Sequence, residues 1–449
     1  MRRKMRQITA LLLAALMMIA CAACGKDGPA EEKPEDKKQE SAPAASPTGT
    51  PETTPTDSVQ ETALGTKVLT GSSGTAPAEK PMDETMRKAY ADFAYRLFNS
   101  CVKSQNGASG NCLISPFSVY SALSMVACGA NGNTAAQMNE VLGLDEAGRN
   151  AFMAAWIAAL TGQDKVAFTC ADSVWVNNRF REEVLDEFLK ACADSYRAEV
   201  YAADMNDKTV DDINDWTNKN TKEMIPAILE HGDLCSEIVA VLVNAITLDA
   251  KWALPFDTER IDANGVFTHG DGREETVAMM HGEADRCYLE NEYFTGCAKS
   301  YQGGEFRYVA LLPKDGVSME EAIASLTPGS VDSLFSGAET VTVNLWIPKY
   351  TTEYKQELQD ILTALGMSDA FSFGKADFTR MIRTGAKIDR VIHKTYLSLD
   401  NEGTKAAAVT AVTMRNLGME KTRTVKLDRP FVYMIVDGNN LPLFIGTYR

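Results

Sequence analysis

The chain has 449 residues, 61 acidic and 45 basic side chains, a net charge of −16 and four histidines. An acidic balance of this size argues against nucleic acid, anionic membrane surfaces and heparin as partners, because each calls for concentrated Lys and Arg. None of the eight cysteines between 101 and 297 forms a Cys-x-x-Cys pair, and no Cys/His cluster has zinc spacing, so no metal or cofactor is expected.

Taken in chain order, residues 1–24 read as a secretion leader. Arg2, Arg3, Lys4 and Arg6 precede the apolar run Ile8–Ala20, which is shorter than the roughly 20 residues a membrane-spanning helix needs. Ala22-Ala23-Cys24-Gly25 resembles a bacterial lipoprotein cleavage site, with Cys24 as the lipidated residue and Cys21 as the fallback. The expected location is the extracytoplasmic face of a membrane, held by lipid alone, or the medium if the leader is simply secretory. Residues 25–81 hold half of the 16 prolines and almost no large apolar side chains, so they read as a disordered tether. The rest, residues 82–449, reads as one domain.

Met86, Tyr90, Phe93, Leu97 and Phe98 recur at helical spacing, with Asp83 and Thr85 available as caps. Ser118–Ala130 is apolar all round and reads as a buried helix. Strands are predicted over Val166–Asn177, Phe306–Leu312 and Thr340–Ile347. A terminal hairpin joins Phe431–Val436 to Leu443–Tyr448. Helices and strands mix without βαβ alternation, which makes the class α+β. The eight cysteines at 101, 112, 128, 170, 192, 235, 287 and 297 mostly lie in apolar contexts and are expected to be free thiols.

No hydrolase elbow, phosphate loop, His-Glu-x-x-His or dinucleotide fingerprint is present, so enzyme activity is not expected. His393 sits in an apolar strand, where a hydrogen-bonded structural histidine is the default. The most informative stretch is Glu402-Gly403-Thr404-Lys405-Ala406-Ala407-Ala408-Val409-Thr410-Ala411-Val412-Thr413. Its alanines suggest a helix, yet it follows a glycine and carries β-branched residues. Its period of two puts Thr404, Ala406, Ala408, Thr410 and Val412 on one strand face, all small enough to enter a packed sheet.

This stretch resembles the reactive-loop hinge of serpins, which trap proteases by inserting that loop into a sheet. The resemblance runs from about Met82 to Arg449. It includes Asn111–Val119 (NCLISPFSV), Gly129–Thr134, Val243-Asn244-Ala245, Lys251–Phe256, Met279-Met280-His281, His393-Lys394, Asp428–Phe431 and Leu443–Gly446. It implies a serpin-like fold of mixed sheets, a helix bundle and an exposed reactive loop. It also implies a metastable monomer that inhibits serine, and in some members cysteine, endopeptidases. The alternatives are a non-inhibitory binding module of the same fold, or a plain protease substrate.

By the same resemblance, Ser115, Ser118, Asn244 and His393 form a polar cluster under the central sheet, while Trp252 and Lys349 stand where the sheet first opens. The family's usual acidic residue two before the hinge glycine is here Asn401, which weakens that gate. Counting from Gly403 places the scissile bond at Leu417-Gly418, and counting back from Pro430 gives Met419. Arg415 would suit a tryptic target, whereas Leu417 implies a chymotrypsin-like or subtilisin-like one. Arg415, Lys421, Arg423 and Lys426 form a basic cluster on an otherwise acidic chain.

Overall fold

The computed structural model describes residues 13–23, 67–68, 82–105, 110–161, 167–404 and 421–449. Helix α1, Glu84–Ser104, starts where Asp83 accepts the Met86 backbone N–H at 2.8 Å. Glu84 in its first turn and Lys103 in its last complement the helix dipole. Helix α2, Pro116–Cys128, begins two residues earlier than its apolar pattern suggests, because Ser115 caps it and Pro116 takes the first turn. All thirteen of its residues are buried. A helix this apolar is stable only when covered on every side.

Other helices and the strand Pro442–Tyr448 cover part of α2, and the remaining side is covered by the central sheet. Its strands in chain order are β1 (Leu13–Ala23), β2 (Lys67–Val68), β3 (Ala167–Asn177), β4 (Glu199–Ala203), β5 (Ile238–Lys251), β6 (Tyr350–Glu357), β7 (Ala386–Leu399) and β8 (Gly403–Thr404). Across the sheet the order is β6-β7-β1-β5-β3-β4-β2, and β8 pairs with the end of β5. Helix α2 packs beneath β1 and β5. Strand β5 reads Ile-Val-Ala-Val-Leu-Val-Asn-Ala-Ile-Thr-Leu-Asp-Ala-Lys and is buried almost throughout. A near-continuous apolar run is what a strand covered on both faces requires.

Two of these strands come from residues expected to lie outside the domain. Leu13–Ala23 lies within the apolar leader, and here it is antiparallel to both β5 and β7. Lys67–Val68, in the expected tether, pairs with β4 at the far edge. The physical reason is open ladder capacity: a lane of unpaired backbone between β5 and β7, and an open edge at β4, are both satisfied by any compatible strand.

Two smaller sheets complete the α+β architecture. One carries Leu113–Ile114, Pro442–Tyr448, Phe431–Val436, Arg307–Pro313, Phe294–Ser300 and Tyr288–Glu290 in that order. The other runs Thr422–Lys426, Thr342–Pro348, Glu274–Glu283, Ile261–Thr268. In Thr342–Pro348, Val343, Leu345 and Ile347 face the core while Thr342, Asn344 and Trp346 are only half-buried, following the alternation in the sequence. The eight cysteines from Cys101 to Cys297 are free, five of them buried. Among the described residues no helix is long and apolar enough to cross a membrane, and no His/Cys/Asp/Glu group could hold a metal ion.

Candidate functional site

The site is the lane between β5 and β7, together with the polar groups beneath it and the hinge at its upper end. Strand β7 ends at Leu399, and the chain turns back on itself. The Asp400 carboxylate accepts the backbone N–H groups of Glu402 and Gly403 at 2.9 and 3.2 Å, and the Asp400 N–H donates to the Gly403 carbonyl at 3.0 Å. This Asx-type turn delivers Gly403 and Thr404 onto β5 opposite Lys251 and Ala250. Gly403 has φ +153°, and a Cβ there would lie 2.2 Å from the Ala250 carbonyl oxygen. Only glycine permits that approach.

Thr404 is fully buried, and its hydroxyl meets the Tyr301 hydroxyl at 2.8 Å. The Tyr301 ring stacks on Trp252 with centroids 4.5 Å apart and planes 7° from parallel. Trp252 in turn donates its indole N–H to the Asp400 carbonyl at 3.0 Å and its backbone N–H to the Glu402 carbonyl at 2.8 Å. Beside it, the Lys299 ammonium lies 4.5 Å from the Phe256 ring and 5.6 Å from the Trp252 ring, and donates to the Glu283 carbonyl at 2.7 Å. Burial pushes the Lys299 ammonium down to about 8, against the pull of Asp285. Asn401 contributes through its backbone, its carbonyl accepting the Phe256 N–H at 2.9 Å. Lys349 is exposed, and among the described residues it has no ion pair. The clamp on the hinge is therefore an aromatic stack and an aspartate turn.

Lower in the lane lies the second polar group. The Ser115 backbone N–H donates to His393 Nε2 at 3.0 Å, which fixes the proton of the neutral ring on Nδ1. The Ser115 hydroxyl accepts the Ser118 N–H at 3.2 Å. The Ser118 hydroxyl donates to Asn244 Oδ1 at 2.5 Å, and Asn244 Nδ2 donates to Asp172 at 2.8 Å. Ser121 and Cys170 complete the surroundings of that carboxylate at 3.4 and 3.6 Å. Desolvation pushes Asp172 up to about 7, with the bonds from Asn244, Cys170 and Ser121 holding it lower than burial alone would. Ser115, Ser118, Asn244 and His393 thus share one buried region, but β1 runs between Asn244 and His393, and Met17 pairs with both.

Asp172, Tyr301, Lys299 and Asp400 were not singled out from sequence. Asp172 carried a readable signal, a carboxylate in the middle of the apolar strand Ala167–Asn177. The other three carried none, since their roles depend on partners distant in the chain. Cys24, Ala406, Ala407, Ala408, Thr410, Arg415, Leu417, Gly418 and Met419 lie outside the described residues. Of the basic cluster, Lys421 and Arg423 both pair with Glu339, the latter at 2.9 Å, and Lys426 pairs with Asp428 at 3.0 Å. Those three charges are met locally. His231, His269 and His281 lie elsewhere, on Asp211, on Glu275 with the Arg449 carbonyl, and stacked on Trp346 respectively.

The segment 405–420 is held at both ends, at Thr404 by the central sheet and at Thr422–Lys426 by parallel pairing with Thr342–Pro348. The described residues on either side of 405–420 are thus anchored in two different sheets.

The model of the family described as "Serpin (serine protease inhibitor)" matches residues 88–449, and the chain belongs to the serpin family. Members of this family are in general protease inhibitors. Serpin B9 of Homo sapiens is 30% identical over 381 residues, covering 81% of this chain and 99% of its own. A serine protease inhibitor of Cyanea capillata is 28% identical over 358 residues, covering 76% and 92%. Among solved structures, the thermophilic serpin tengpin matches in its native state with a TM-score of 0.73 at 34% identity, covering 82% of this chain and 95% of that one. Its latent state matches with a TM-score of 0.71 at 33% identity, covering 82% and 99%.

Proposed function

We propose that this chain inhibits serine endopeptidases as a suicide substrate. The protease attacks the 405–420 segment, with Leu417-Gly418 as the favoured bond, and forms an acyl-enzyme. Cleavage frees the hinge, which runs down the lane between β5 and β7 and gains ladder hydrogen bonds as it goes. The protease is carried along before it can deacylate. The observation that supports this most directly is the rung already made: Gly403 and Thr404 pair with Lys251 and Ala250, with Thr404 buried against Tyr301. The residues that follow, Lys405 apart, are small or β-branched as far as Thr413, which suits a strand that must enter quickly.

The mature protein begins at Cys24 on this reading, lipidated and displayed on the outer face of a membrane, and acts as a monomer on chymotrypsin-like or subtilisin-like targets. The sequence of the leader and of Ala22-Ala23-Cys24-Gly25 supports the anchor. Incubating the chain freed of residues 1–24 with chymotrypsin and subtilisin, followed by denaturing gels, tests the inhibitory reading. A denaturant-resistant complex near the summed masses is expected. Cleavage in 405–420 without such a complex would assign the chain to the non-inhibitory members or to plain substrates.

A further inference from the structure

Strands β1 and β8 lie in one lane. Both are antiparallel to β5: β8 pairs at Lys251 and Ala250, and β1 takes over at Leu248 and continues to Ile238. Extended without a bulge, the β8 register would set position 406 opposite Leu248, where Leu13 now pairs. It would likewise set position 410 opposite Asn244, where Met17 now pairs. On its other side β1 pairs with β7 from Ala14 at Tyr396 to Ala23 at Ala386, so both ladders of the lane are filled. Two strands cannot share one set of backbone partners.

We propose that the leader segment Leu13–Ala23 is a built-in plug of the lane: it excludes the hinge and keeps the unprocessed chain non-inhibitory until the leader is removed. The composition of the leader suits this second role. Leu-Ala-Ala-Leu-Met-Met-Ile-Ala-Cys-Ala-Ala is wholly uncharged, and its length matches the stretch of β5 and β7 left unpaired below the hinge. Removal of residues 1–24 takes the whole plug away and returns the lane to the hinge. The inference rests on the inhibitory reading above for its consequence, but not for its geometry.

Both parts are tested on the full chain with its leader intact. Cys21 pairs Cα to Cα with Ala240. In a Cys24→Ala background, Ala240→Cys should therefore oxidise to a disulfide with Cys21, read as a mobility shift on non-reducing gels. A second variant, Met17→Pro with Ile19→Pro, removes two ladder donors from a central strand. It should lower the melting temperature by roughly 5 °C or more and raise the yield of denaturant-resistant complex with chymotrypsin about tenfold over the parent full chain. Absence of the cross-link, or an intact full chain that traps chymotrypsin as well as the double-proline variant does, would overturn the plug. If that variant does not fold, the chain freed of residues 1–24 takes its place: it should give about tenfold more denaturant-resistant complex with chymotrypsin than the full chain, and equal trapping by the two overturns the proposal. A cross-link and a lowered melting temperature with no complex from either form would support the plug while sinking the inhibitory reading, so the two failures are distinguishable.

Discussion

Asn244 and His393 both pair, Cα to Cα, with Met17, so a single strand separates the two polar halves that lie beneath the central sheet. With strands about 4.8 Å apart, the two residues are roughly 10 Å from each other across that strand. On one side His393 accepts from Ser115; on the other, Asn244 joins Ser118 to Asp172. Whichever segment occupies the lane therefore runs directly over this network, and a row of buried polar groups that is satisfied in one arrangement resists being left half-paired in another.

Thr404→Arg tests the first rung of insertion. The Thr404 side chain is fully buried against Tyr301, and a guanidinium there has no partner to offset its desolvation. The variant freed of residues 1–24 should fold, because residues 403–404 can withdraw from the sheet, and should still be cut in the loop. Its yield of denaturant-resistant complex on gels should fall by about tenfold or more. Undiminished complex would remove the insertion mechanism.

Asp172 supplies the pH dependence. Its folded value is about 7, against ~3.9 in an unfolded chain, so between these values the native state holds a proton that the unfolded state has lost. Stability from this group therefore falls as pH rises from about 4 to 7, and above 7 the buried charge costs on the order of 4 kcal/mol. Asp172→Asn keeps an acceptor for Asn244 and carries no charge. Calorimetry from pH 5 to 7.5 should show the melting temperature of the variant gaining steadily on that of the parent. Parallel curves would refute the assignment.

The gate at Asn401 makes a kinetic prediction. Lys349 is exposed and, among the described residues, has no ion pair, while the Asn401 side chain cannot supply a charge to it. Mild heating of the chain freed of residues 1–24 should convert part of it to an inactive, loop-inserted form. Asn401→Glu should slow that conversion about two- to fivefold, the range an exposed ion pair of up to 1 kcal/mol provides. Residual inhibitory activity against heating time reads this out, and identical decay curves would exclude the gate.

Cutting the loop separates the plugged and unplugged forms. Without residues 1–24, cleavage near Leu417 should let about a dozen residues add ladder bonds worth roughly 0.5–1.5 kcal/mol each, raising the melting temperature by about 10 °C or more. In the full chain the lane is held by β1, and the same cut should leave the melting temperature nearly unchanged. A chain that melts alike before and after cleavage in both forms would argue against a stored strand.

Features governed by neighbours in the chain were legible in the sequence. Asp83 caps its helix through the residue three positions on, and the alternation of Val343, Leu345 and Ile347 records which face of a strand is covered. The serines, asparagine and histidine of the polar cluster were reached only through the family resemblance, because nothing in their own spacing joins them. What only the tertiary structure decided are the pairings across long chain separations. Thr404 finds Tyr301 across 103 positions, and Ser118 finds Asn244 across 126. Trp252 finds the turn at Asp400 across 148. The same holds for the occupant of the lane. An uncharged run such as Leu13–Ala23 satisfies the pattern of a leader, a buried helix or a central strand equally well. Its pairing with β5 and β7 depends on two edges that exist only after the rest of the sheet has formed.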